Sequence, residues 1–378
     1  MTGVVVLAAG GTGGHLFPAA ALSGELRVRG WGVVLITDSR GERSVEQTPL
    51  ADVTTHVVRC GTLASGNLLT AVWVVLQIAI GTWQAWWLLY RLQPAVVIGF
   101  GGYPSLPTMW AAIQRGIPTI VHEQNAVLGR VNRLLARRVS GVALSLAETG
   151  RVPTSKRARI VVTGNPVRTS VRQGRRYAYQ AAADDGPFRL LVIGGSQGAS
   201  IFGKVIPAAL STLPNKLRQR LDVSQQCRAE DIEQVGAIYQ ASDIKHALGT
   251  FFEDIGERLV HAHLVISRAG ASSICELACI GRPAVIVPLP HAADDHQSAN
   301  ARVFAHGGAA HVLIQGKQFT ADHLGGLISI FMDSPVRLAD IAAKARAKGR
   351  TDGETALADF TAQIASAREN QLSEEQAR

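Results

Sequence analysis

Apolar residues along this chain come in short unbroken runs, separated by longer stretches in which they recur every three or four positions. Val4 to Ala8, Val33 to Thr37, Val96 to Ile98, Thr119 to Val121 and Val142 to Leu144 read as strands buried on both faces, with helices between them. That alternation predicts a parallel, doubly wound sheet. The pattern lapses after Gly164-Asn-Pro-Val-Arg168, and the polar stretch Gln173 to Pro187 reads as a linker. It restarts with Leu190 to Ile193, Leu264 to Ile266 and Ala284 to Val287, so a second sheet of the same type is expected. From Ser366 the chain is rich in Glu, Gln, Ser and Arg and is expected to fray.

Where strands hand over to helices, the chain turns to small residues. Gly10-Gly-Thr-Gly-Gly-His15, Gly99-Phe-Gly-Gly-Tyr103 and Gly194-Gly-Ser-Gln-Gly198 each follow an apolar run. A fourth break runs through Arg268-Ala-Gly270, Ala271, Ser272 and Ser273 before a helical pattern resumes with Ile274, Cys275, Glu276 and Ile280. A helix whose first turn lacks bulk presents unpaired N–H groups, which suit a diphosphate. Glu276, one turn in, has two carboxylate oxygens for the two hydroxyls of a ribose. Each turn alone is equally an ordinary strand-to-helix connection with a solvated Glu; four together point to a nucleotide-diphosphate ligand.

The length of 378 residues suits two α/β domains, and 47% apolar with 18% charged residues excludes global disorder. The net charge of +9 calls for an anionic partner. Finger spacing, an aromatic RNA-binding strand and a basic helix run are all missing, so nucleic acid gives way to phosphate or lipid. The cysteines Cys60, Cys227, Cys275 and Cys279 suit a reducing cytoplasm; the last two share one helix face and read as small buried thiols, not as a metal pair. The start, Met1-Thr-Gly-Val-Val-Val6, enters a strand directly and does not read as a signal peptide.

Leu68 to Tyr90 is uncharged over a length that can cross a bilayer, and it carries Trp73, Trp83, Trp86 and Trp87. Gln77, Thr82 and Gln84 interrupt it, and a span would separate strands of one sheet, so a helix or helix pair lying in the membrane interface fits better. Core packing accounts for part of the same pattern. Arg91, Arg115, Arg137 and Arg138 are candidates to add attraction to anionic lipid.

Two common nucleotide folds fail on detail. A dehydrogenase fingerprint starting at Gly11 and Gly13 needs a third glycine where Leu16 stands, although Asp38 lies where an acid would hold an adenosine ribose. A triphosphatase loop needs Gly-Lys-Ser or Gly-Lys-Thr, which follows none of the turns.

The ordered motifs are Gly10 to His15 with Pro18, Gly101-Gly-Tyr103 with Ser105, His122-Glu-Gln-Asn125, Gly164 to Arg168, Gly194 to Ala199, Arg268 to Gly270 with Glu276, and His291 to Asn300. In this order the chain closely resembles the bacterial UDP-N-acetylglucosamine:lipid I N-acetylglucosaminyltransferases, GT-B enzymes of the family 28 type. The resemblance implies an α/β fold of two Rossmann-like, doubly wound domains facing across a cleft. Residues 1–168 would take the acceptor and the membrane and 169–349 the UDP-sugar, with C-terminal helices at about 350–370 packing back on the first. It implies inverting transfer to the C4 hydroxyl of the lipid-linked muramyl sugar, with no metal or cofactor. His15 or Glu123 would be the base. Thr12, Gly13, Gly14 and Asn125 would bind substrate, Ser196 and Arg168 the diphosphate, Phe252 the uracil, the turn from Ala271 to Cys275 with Glu276 the nucleotide, and Gln297 the sugar. Asp294-Asp295 reads as capping or solvated. Implied partners are the two substrates, an anionic membrane surface met through Leu68 to Tyr90 at the cytoplasmic face of the inner membrane, and other cell-wall enzymes.

Two departures stand out: Gly61-Thr-Leu-Ala-Ser-Gly66 lacks the basic residues common before the hydrophobic helix, and His296 replaces a second glutamine beside Gln297. Rival readings are a UDP-sugar epimerase, a transferase with a soluble acceptor, and a catalytically silent sensor. The tryptophan-rich segment speaks against a soluble acceptor, and His15, Glu123 and Glu276 speak against silence.

Overall fold

The computed structural model describes residues 3–11, 13–46, 48–61, 68–154, 157–195 and 198–376. The chain forms two compact units, Met1–Val167 with Asp352–Arg378, and Arg168–Thr351. The first holds a sheet of β1 (Val4–Ala8), β2 (Gly32–Thr37), β3 (Thr54–Val57), β4 (Val96–Gly99), β5 (Thr119–Glu123), β6 (Gly141–Leu144) and β7 (Arg159–Val162), in the order β3-β2-β1-β4-β5-β6-β7. The second holds β8 (Phe188–Ile193), β9 (Leu221–Gln226), β10 (Lys245–Gly249), β11 (Leu264–Ser267), β12 (Ala284–Ile286) and β13 (His311–Val312), in the order β10-β9-β8-β11-β12-β13. Every pairing in both sheets is parallel.

The unbroken apolar runs are the central strands, because helices cover both faces of a parallel sheet. Side chains of β1 alternate between two cores. Val5 and Leu7 join Leu16, Leu22 and Leu26 of the Gly13–Val28 helix, while Val6 and Ala8 join Met109 and Ala112 of the Gly102–Gln114 helix. The sequence reading passes over the edge strands β3, β7, β10 and β13 and over β9, which lies next to the β10 edge. β9, for example, reads Leu-Asp-Val-Ser-Gln-Gln and is covered on alternate residues. Half-covered strands mix polar and apolar residues and do not stand out as runs.

Three expectations change. Gln173 to Pro187 is not a loose linker but is packed onto the second unit. Tyr179 donates to the His263 carbonyl at 3.0 Å, and the fully buried Arg282 donates to the carbonyls of Tyr177, Leu259, Val260, Ile280 and Gly281. The C-terminal helix, Gly353–Gln376, continues past Ser366, where fraying was expected. Leu68 to Tyr90 is one helix, Leu68–Leu92, and Trp86 is not among its outward rings: it stacks at the core edge under the Arg115 guanidinium, 4.4 Å from its ring. Of the Gly61–Gly66 departure noted before this helix, residues 62–66 lie outside the described residues.

The C-terminal helix returns to the first sheet because β6 starts with a glycine. A Cβ on Gly141 would stand 2.6 Å from the Phe360 ring, and Phe360 fills the core there with Leu357, Ala358 and Ile364. Gly141→Ala is expected to cost about 1–3 kcal/mol in urea unfolding by overpacking. Adding Phe360→Leu should return part of that loss; a double variant no better than the sum of the singles would show the contact is not the cause.

Candidate active site

In each sheet the strand order reverses beside the first strand, between β1 and β4 and between β8 and β11. Parallel α/β sheets bind ligands at such reversals, beyond the carboxyl ends of the strands. The four small-residue turns leave those same four strands. Gly11, Gly101, Gly102, Gly195 and Gly198 all hold positive φ, where a side chain would be strained. The turn at Gly10 is crowded too, since a Cβ there would meet Thr37, Asp38 and Pro104 within 3 Å. Asp38 itself caps the Ser39–Val45 helix, accepting from Gly41 N at 2.9 Å, and binds Arg40 at 2.8 Å.

In the first unit Gly13 and Gly14 begin a helix that carries His15 on its first turn. His15 Nδ1 lies 3.2 Å from Gln124 Oε1, and a Cβ on Gly102 would fall 3.2 Å from His15 Nε2, so the ring needs that glycine. Thr12 lies outside the described residues. The turn after β5 is built on Glu123. Its Oε1 accepts from the backbone N and the side-chain amide of Asn125, both at 3.0 Å, and its Oε2 from Gly129 N at 2.8 Å and Asn132 Nδ2 at 2.9 Å. Four donors on a buried carboxylate satisfy it as an acceptor and fix the loop, including Asn125. Glu123 therefore organises the turn, and His15 is the imidazole at its side.

In the second unit Glu276 is buried on the Ala271–Ile280 helix, and its carboxylate takes Arg168 Nε and Nη2 at 2.6 Å each, a bidentate pair. Gly270 is the N-cap and supplies no side-chain cap, so Ala271, Ser272 and Ser273 form a first turn open to an anion; Ser272 Oγ is buried without a hydrogen bond. Ile274 is in the core, Cys275 is half-buried and Cys279 buried, neither in a disulfide. Phe252 is half-buried under the Arg258 guanidinium at 4.2 Å. Gln297 Oε1 accepts from Leu289 N at 3.0 Å, which turns its NH₂ away from that loop. Asp295 is exposed at a helix start and makes no capping bond, so it is solvated. Ser196 lies outside the described residues. Among the described residues no three His, Cys, Asp or Glu side chains group as a metal site.

Three supporting residues brace these turns: Arg268 and Asn300 stand in the sequence motifs without a role assigned there, and Gln226 escapes the sequence reading. Gln226, at the end of β9, accepts from Gly194 N and donates to Gly195 O and Thr250 O, bracing the turn after β8. Asn300 Nδ2 holds Ala269 O at 2.9 Å, and Arg268 Nη1 reaches the carbonyls of Val287 and Pro288. Each acts through a tertiary contact that leaves no spacing to find.

Family models match both units: the glycosyltransferase family 28 N-terminal domain over residues 5–144 and the corresponding C-terminal domain over residues 189–356. The chain belongs to glycosyltransferase family 28. It is 48% identical over 94% of its length to a Rhodospirillum centenum protein, of which it covers 93%, and 49% identical over 96% to one from Rhodospirillum rubrum, of which it covers 92%. Both relatives are named UDP-N-acetylglucosamine–N-acetylmuramyl-(pentapeptide) pyrophosphoryl-undecaprenol N-acetylglucosamine transferase. The crystal structure of Acinetobacter baumannii MurG matches with a TM-score of 0.75 and 30% identity, covering 96% of this chain and 99% of that one. A UDP-GlcNAc 2-epimerase from Neisseria meningitidis shares the fold alone, at 11% identity and a TM-score of 0.62. The family 28 architecture is GT-B, with parallel sheets of seven and six strands.

Burial, with a smaller push from the His15 charge, lowers the pKa of fully buried His122 to about 4. In the unfolded chain it would titrate near 6.5. Between those values only the unfolded state gains the proton, so stability falls as pH drops from about 6.5 to 4, by roughly 3 kcal/mol in all. The urea midpoint should follow that slope, and His122→Gln should flatten it; an equal slope in the variant would contradict a neutral buried imidazole.

Proposed function

We infer that this chain transfers N-acetylglucosamine from UDP-N-acetylglucosamine to the C4 hydroxyl of undecaprenyl-pyrophosphoryl-N-acetylmuramyl pentapeptide, lipid I, with inversion, forming lipid II. What carries the reading is the 48% identity across 94% of the chain to a protein of that activity, with both units included. His15 is the base: as the acceptor hydroxyl attacks C1 of the donor sugar, the hydroxyl proton passes to the imidazole and the C1–O bond to UDP breaks. Negative charge then grows on the diphosphate, where the first turn of the Ala271–Ile280 helix presents N–H groups, joined by the turn after β8 that Gln226 braces. Glu276 takes the ribose hydroxyls; Arg168, expected on the diphosphate, is bonded bidentately to Glu276 and aligns its carboxylate instead. Phe252 borders the uracil, Gln297 offers its NH₂ to the sugar, and Asn125 and the Gly13–Gly14 turn meet the acceptor.

The acceptor is lipid-linked, and the Leu68–Leu92 helix has the surface to reach it. Gly81, Ala85 and Leu89 face inward, with Gly81 against the Arg59 carbonyl, while Val72, Leu76, Trp83, Trp87 and Tyr90 are exposed. At 3.6 residues per turn those five lie in one stripe about a sixth of the circumference wide. The chain works as a peripheral protein on the cytoplasmic face of the inner membrane, with this stripe and Trp73 set into the lipid.

His15→Ala should lower kcat about 10²- to 10⁴-fold in UDP release with a lipid I analogue; undiminished turnover would remove His15 as the base. Glu276→Gln should weaken UDP binding roughly tenfold or more by calorimetry. Replacing Trp73, Trp83 and Trp87 by Ser should reduce sedimentation with phosphatidylglycerol vesicles, and unchanged binding would assign those rings no role at the membrane.

A further inference from the structure

We propose that His122 and Gln124 set the tautomer of His15, forcing its proton onto Nδ1 and leaving Nε2 as the nitrogen that accepts the proton of the substrate hydroxyl. The inference rests on His15 as the base and adds two positioning residues that act through it.

His122 Nε2 lies 3.3 Å from the Gly164 carbonyl oxygen, which can only accept, so Nε2 carries a proton. Ser145 Oγ, 3.4 Å from the same nitrogen, is placed to accept as well while its own proton turns to Asn165 Oδ1. His122 is fully buried and neutral at ordinary pH, so its Nδ1 is a lone pair. That lone pair needs a donor, and Gln124 Nε2 stands 2.9 Å away; the same amide nitrogen reaches the His122 carbonyl at 3.2 Å. Two acceptors thus hold the NH₂ end of the amide, which fixes Oε1 on the opposite side. Oε1 faces His15 Nδ1 at 3.2 Å and can only accept, so Nδ1 of His15 carries the proton. The Nε2 edge of the ring points toward Gly102, where a side chain would crowd it.

Each link permits one orientation of the next, and the chain starts at a backbone carbonyl that cannot change its role. Around His122 stand Gly164, Ser145, Gln124, Asn132 on its carbonyl, and the Phe100 ring at 5.5 Å, with His15 acting at longer range. The carboxylate of the adjacent Glu123 is turned to Asn125, Gly129 and Asn132. A neutral amide orients the base without adding a charge that would hold a proton on it, as a carboxylate in the same place would.

The test is the tautomer itself. In protein labelled with [15N]histidine, two-bond proton–nitrogen correlation, with His15 assigned by loss of its signals in His15→Gln, should show a protonated Nδ1 and an unprotonated Nε2. A His15 that carries its proton on Nε2 in the unaltered protein overturns the proposal, whatever the variants do. Gln124→Met should return His15 to the Nε2-protonated form that imidazole prefers in water and lower kcat tenfold or more, with KM for UDP-N-acetylglucosamine within about twofold. Gln124→Glu keeps an acceptor for Nδ1, so the tautomer should persist while the acid limb of the kcat/KM profile moves to higher pH. Unchanged kcat in a folded Gln124→Met protein also overturns the proposal. The base assignment fails separately, through turnover in His15→Ala, and that result leaves the tautomer measurement standing.

Discussion

Parallel pairing is the constraint on which the rest depends. When every strand runs the same way, every connection that leaves a carboxyl end emerges on one edge of the sheet and must turn into a helix there. Reversal of strand order beside β1 and beside β8 parts two neighbouring connections and opens a crevice between them. Helix N-termini with unpaired N–H groups then point at that edge, and glycines at positive φ let the backbone come close to whatever binds.

Such turns hold their shape because buried polar side chains brace them from beneath. Glu123 gathers four donors from the loop after β5, Gln226 spans the turn after β8, and Asn300 and Arg268 hold the segment after β11. Each is costly to bury and is retained with its bonds satisfied, so removing a partner costs more than the bond alone contributes. Glu123 spends its carboxylate oxygens on its own loop, whereas the His15 ring meets Gln124 through Nδ1, although both sit in motifs of similar appearance. The glutamine between them in function, Gln124, is oriented by a histidine that burial keeps neutral.

The Leu68–Leu92 helix shows one element serving two surfaces. Its small residues allow it to lie against the Arg59 backbone and the Gly102–Gln114 helix, and its large ones stay outside. A glycine at 81 in an otherwise bulky helix is what brings the inner face close enough to pack, so the tryptophans opposite need not be core residues.

The chain by itself determined the fold class and most of the candidate site. Central strands are legible because burial on both faces demands unbroken apolar runs, as in Val4 to Ala8 and Leu264 to Ile266, and the glycine turns are legible because few other residues take those dihedrals. Half-covered strands such as β9, the packed segment from Gln173 to Pro187 and the inward position of Trp86 were not, since each is stabilised by residues distant in sequence. Tertiary structure alone decided that Glu123 gathers four donors from its own loop, that Arg168 and Glu276 meet, and that Gln124 joins His122 to His15. The physical reason is that periodicity records how each residue meets its own element and the solvent, whereas hydrogen-bond direction depends on partners brought together only when strands line up.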